Sequence, residues 1–123
     1  MIRPSDMSIF KGRELIPELT LRRPIANIER EFGILFESDF DDLDYFRAHA
    51  FQLDEPETAE GFGFALMQYR GHENDTVTLY FPYGREDIRP TGIARDAGYQ
   101  ARLLSIMREL RVSPEEIVWS RLD

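Results

Sequence analysis

Residues 62–83 read FGFALMQYRGHENDTVTLYFPY. Two runs rich in aromatic and β-branched residues, 62–70 and 76–83, flank five turn formers, Gly71 to Asp75. This is the pattern of a β-hairpin. Closure with Arg70 opposite Thr76 would set Tyr69 against Val77, Met67 against Leu79 and Ala65 against Phe81, one apolar face. The reverse face would pair Gln68 with Thr78 and Leu66 with Tyr80, a mixed surface suited to solvent.

Upstream, residues 45–53 have the same strand composition. A seven-residue loop, 54–60, would pair Leu53 with Gly61 and put His49 opposite Ala65. Earlier still, Pro24 can open a helix, because its first turn needs no amide donor. Ile25, Ile28, Phe32, Leu35 and Phe36 then mark one helical face. Gly33 within that run costs roughly 1 kcal/mol relative to alanine. Downstream, Thr91 reads as the cap of a second helix with the stripe Ile93, Ala97, Ala101, Leu104, Met107 and Leu110. Ser113 to Glu116 has the spacing of a capping box with proline at its first position. One turn there would deliver Ile117, Val118 and Trp119 to the core as a last short strand. Residues 1–24 read as an arm over the domain, with Met7 a second candidate start and residues 1–6 a leader or vector remnant.

The expected fold is a single α+β domain over residues 1–123. A three-stranded antiparallel meander is packed on one face by two helices, in the order α-β-β-β-α, with short terminal strands extending it.

Composition narrows the chemistry. The chain has no cysteine and two histidines, His49 and His72. That removes disulfides, thiolate catalysis and multi-histidine metal sites, and favours the cytoplasm. No window approaches the roughly 18 uncharged apolar residues of a membrane helix. The net charge is −8, and residues 37–60 carry all of it, with nine acids against one base, Arg47. An acidic domain is repelled by phosphate backbones, so nucleic acid is not an expected partner.

The motifs that could carry catalysis fail on inspection. Counted from Asp39 as a calcium loop, position 5 is Leu43, position 6 is Asp44 in place of glycine, and position 12 is Ala50 in place of glutamate. Gly61-Phe62-Gly63 lacks the third glycine and the strand-to-helix setting of a dinucleotide loop. His49 has no partner tied to it by spacing, so it reads as a hydrogen-bonded strand residue with no catalytic role. No catalytic residue, metal or cofactor is expected.

The reading that remains is a non-enzymatic binding module whose acidic surface engages a basic partner protein. Nuclease inhibitors, bacterial immunity proteins among them, follow the same charge logic. Asp39, Phe40, Asp41, Asp42, Asp44 and Tyr45 are the expected contacts, dense carboxylates beside aromatic anchors. Two alternatives stand beside it. One is a ligand carrier or enzyme with a pocket between sheet and helix lined by Tyr45, His49, Tyr69, Tyr80 and Tyr83. The other is a homodimer that buries the mixed sheet face bearing Phe64, Leu66 and Tyr80.

Overall fold

The computed structural model describes residues 1–40, 44–70 and 75–121. Its elements, in chain order, are β1 (Ile2–Ser5), β2 (Glu14–Leu21), α1 (Ile25–Phe32), β3 (Glu37–Phe40), β4 (Tyr45–Glu55), β5 (Thr58–Tyr69), β6 (Val77–Tyr83), β7 (Ile88–Arg89), β8 (Gly92–Ile93), α2 (Tyr99–Glu109) and β9 (Ile117–Ser120). Seven strands form one antiparallel sheet in the order β1-β4-β5-β6-β2-β9, with β3 also on β4, and β7 pairs with β8 apart from it. The 11-residue β4 is long enough to hold two strands along one edge. β3 pairs with residues 45–48 and β1 with residues 50–53, while β5 takes the opposite edge.

The expected meander with two helices is therefore corrected to a seven-stranded sheet. Residues 45–53, 62–70 and 76–83 do supply three consecutive strands, but they are only the middle of it. The first 24 residues, expected to lie over the domain, contribute β1 and β2, and β2 sits between β6 and β9. Its composition hides it. Pro17 withholds an amide donor and Glu18 puts a charge in an apolar run, and the ladder to β6 shifts register between Pro17 and Leu19, around Glu18.

Both sheet faces are covered. On one, Leu19, Leu21, Phe51, Phe64, Leu66, Leu79 and Phe81 pack with Ile25 and Ile28 of α1 and Leu103 and Ile106 of α2. Each such side chain contributes about 1.5–3 kcal/mol by leaving water. On the other, a 3-10 turn, Met7–Phe10, brings Phe10 onto Ala48, Ala50, Ala65, Met67 and Tyr80. Alanines at three of these positions keep that face low enough for one short turn to cover it.

Double coverage explains why both expected registers are wrong by one residue. β5 meets β6 as Ala65 opposite Tyr80, Leu66 opposite Leu79 and Met67 opposite Thr78. Val77, Leu79 and Phe81 thus share a face with Leu66 and Phe64, and Met67, Ala65 and Tyr69 lie on the other. With both faces apolar, polarity could not choose between registers that differ by one slip. The β4–β5 hairpin likewise pairs Leu53 with Phe62 and His49 with Leu66, and it continues past an irregularity to Glu55 opposite Thr58. Gly61 permits this at φ +74°, where an added Cβ would lie 2.5 Å from the Leu53 carbonyl oxygen.

The helices also differ from expectation. α1 ends at Gly33, which adopts the left-handed cap (φ 66°). The helix therefore stops before Leu35, which is 79% exposed and not on the buried face. α2 starts at Tyr99, with Thr91 in the β7–β8 turn. Leu103, Ile106 and Leu110 are buried, and Leu104 is 50% exposed. Trp119, expected in the core, is 41% exposed on β9. Among the described residues no helix is long and apolar enough to cross a membrane.

Candidate functional site

β3 lies on the outer edge of β4, and every one of its residues is exposed. It presents Phe40 opposite Tyr45. Their rings meet at 4.9 Å, and the two residues are 59% and 55% exposed. Strand alternation divides the edge by chemistry. Ser38 and Phe40 stand opposite Arg47 and Tyr45, whereas Glu37 and Asp39 stand opposite Ala48 and Phe46, residues of the Phe10 face. Asp39 Oδ1 accepts from the Phe40 amide at 2.7 Å, and Asp44 Oδ1 from the Tyr45 amide at 2.8 Å. Asp41 and Asp42 lie outside the described residues. Of the expected contacts, then, Phe40 and Tyr45 meet across adjoining strands, with Asp39 beside Phe40 on β3 and turned to the other face, and Asp44 just before β4.

The expected tyrosine–histidine pocket is not assembled. Tyr69 and Tyr80 belong to the Phe10 face, whereas Tyr83 belongs to the helix face. His49 lies under Phe36 and beside Phe51, at ring distances of 6.1 and 5.4 Å. Its Nδ1 is 2.8 Å from the Ala50 carbonyl oxygen, so the imidazole is held within its own strand. Tyr45 stands apart at the start of β4, its ring under the Arg70 guanidinium at 5.9 Å.

A buried network that the sequence reading missed is centred on Glu18, which is wholly buried. Tyr83 donates to its Oε1 at 2.9 Å and Tyr99 to its Oε2 at 2.7 Å. Arg95 reaches both oxygens at 3.3 and 3.4 Å, and Arg121 approaches Oε2 at 3.7 Å. Arg121 also donates Nε–H to the Pro17 carbonyl at 2.8 Å. Burial, then the Glu18 charge, pushes the Tyr83 phenol far above its ordinary range. Burial, then the hydrogen bond to Glu18, pushes Tyr99 up to about 12. A carboxylate has about four lone-pair sites, and these donors take them. Glu18 therefore ties β2, β6, α2 and the C-terminal strand together and offers no free base. The signal in the sequence was a single carboxylate inside an apolar run.

Above this network, on the side of Phe62, a cleft of about 420 Å³ opens beside Tyr83 and Tyr99. Of its two arginines, Arg102 is neutralised: Glu55 accepts from Nε at 2.9 Å and Asp96 takes the other arm. Arg102 also caps the Phe62 ring at 4.5 Å. Among the described residues no three histidine or acidic side chains converge as a metal site. Comparison with protein-family models, curated proteins and solved structures finds no match to this chain.

Proposed function

We propose that the chain is a non-enzymatic protein-binding module that receives a basic partner protein on its β3 edge. Asp39, Phe40, Asp41, Asp42, Asp44 and Tyr45 are the contacts. The observation that carries this reading is the exposed Phe40–Tyr45 pair. Two large rings left in water give up burial that a fold would otherwise use, and aromatic anchors beside charges are the usual centre of an interface. A segment laid along β3 would meet the acids on one sheet face and the rings on the other, with main-chain bonds along the edge. The same charge logic serves inhibitors that cover cationic clefts. A cysteine-free chain suits the reducing cytoplasm, where we place it as part of this reading.

The test uses the partner captured with the intact chain. Its association rate should fall as salt rises, and Asp39→Asn with Asp44→Asn should slow it further. Phe40→Ala should speed dissociation and leave the melting temperature unchanged. Binding that ignores all three substitutions would remove β3 as the interface.

A further inference from the structure

Beside the acidic edge, but on the helix face, a groove of about 620 Å³ runs between the start of α1 and the ends of β3, β4 and β5. Its floor is a cross-strand row. Ser38 lies opposite Arg47, and Arg47 opposite Gln68, with Tyr45 and Arg70 one step along. Pro24, Ile25 and Ala26 form its wall.

The charge of this groove runs against that of the chain. Among the described residues, the charged side chains that line it are Arg47 and Arg70, with no carboxylate. Elsewhere most arginines that line a cavity have a carboxylate partner: Arg102 has Glu55 and Asp96, and Arg95 and Arg121 share Glu18, with Arg13 the exception among the described residues. Among the described residues neither Arg47 nor Arg70 has an ion pair or side-chain hydrogen bond, and the Arg70 guanidinium lies over the Tyr45 ring. Two guanidiniums lining one groove without an acceptor among the described residues leave both forks free for a planar or tetrahedral oxoanion. The Ser38 hydroxyl adds a neutral donor on the same face. α1, which starts at this wall without a side-chain cap, adds a favourable dipole.

We propose that this groove binds an oxoanion, the phosphate or carboxylate group of a small ligand, between Arg47 and Arg70. The acids of β3 do not obstruct it, because alternation turns Glu37 and Asp39 to the opposite face. This site does not depend on the partner-binding reading, and its test needs no partner.

The experiment is a ¹H–¹⁵N titration of the intact chain with inorganic phosphate and, separately, with acetate, at fixed ionic strength set by chloride. Saturable shifts are expected at the Arg47 and Arg70 Nε–H groups and the Ser38 amide. Tighter saturation by phosphate would identify a phosphate ligand, and tighter saturation by acetate a carboxylate. Arg47→Gln with Arg70→Gln should weaken binding by about 10-fold or more, as expected when charge-assisted bonds are lost. Arg108→Gln, on α2 and outside the groove lining, should leave it unchanged. If the double variant of the groove fails to fold, Arg47→Gln alone serves, because Arg47 is exposed. Shifts that stay linear with both anions, or that survive the loss of Arg47 and Arg70, would overturn the site.

Discussion

Tyr83 donates its hydroxyl to Glu18 Oε1 at 2.9 Å across 65 positions of sequence, which fixes β6 to the irregular point of β2. Removing the acceptor should be severe. Glu18→Ala would strand Arg95, already mostly buried, and two phenols without a partner. A loss of about 3–5 kcal/mol is expected, as when one member of a buried ion pair is deleted. Tyr83→Phe should cost less, about 1–3 kcal/mol. Urea denaturation measures both, and a loss under 1 kcal/mol for Glu18→Ala would show that the network is not a structural anchor.

The same network predicts behaviour in alkali. The folded-state values of Tyr83 and Tyr99 lie above the ordinary phenol value of 10.0, through burial and the neighbouring Glu18 charge. Their stabilisation is fully present below pH 10 and is lost as pH rises towards the folded values. The melting temperature should therefore fall above pH 10. Phenolate absorbance should show two of the five tyrosines ionising late. Five phenols titrating together with the fold intact would contradict the geometry.

The two leucines at positions 103 and 104 make an internal control. Leu103 is wholly buried and Leu104 half exposed. Leu103→Ala should cost about 2–5 kcal/mol, whereas Leu104→Ala should stay within about 0.5 kcal/mol. Reversal of that order would mean that α2 is rotated.

Gly61→Ala should also destabilise. It combines φ +74° with a Cβ placed 2.5 Å from the Leu53 carbonyl oxygen. About 1–3 kcal/mol is expected from backbone strain alone. A neutral result in thermal melts would mean that the β4–β5 ladder runs in another register.

How much of this was legible depended on whether a local signal had one meaning. Residues 62–83 read as paired strands because aromatic and β-branched residues have few other uses at that density. Their register was not legible, because Leu66 and Met67 are both apolar and both sheet faces are covered. The Leu103–Leu104 doublet supports two overlapping helical stripes, and only packing selects between them. Gly33 read as a cost to a longer helix when it was its terminator. The aromatic pair of the candidate edge was readable, since Phe40 and Tyr45 flank the acidic run that joins their strands. The groove was not. Arg47 looked like a stray base among nine acids, and only strand alternation separates it from them.

The register shift around Glu18 has a further consequence, in the time the chain takes to be made. β2 is completed by β6 on one side and by β9 on the other, and the bond from Arg121 to Pro17 spans 104 positions. At translation rates of about 5–20 residues per second, β2 waits roughly 5–20 s for its last neighbour. During that wait the edge of β2 that β9 later covers, Leu19 to Leu21, is open, a ready template for another nascent chain. The Glu18 carboxylate interrupts that template while it is still in water. It would act first as a gatekeeper against misassembly and afterwards as the anchor of the finished sheet. Glu18→Leu should therefore aggregate during synthesis at temperatures where Glu18→Gln, which keeps the polarity, still yields folded protein.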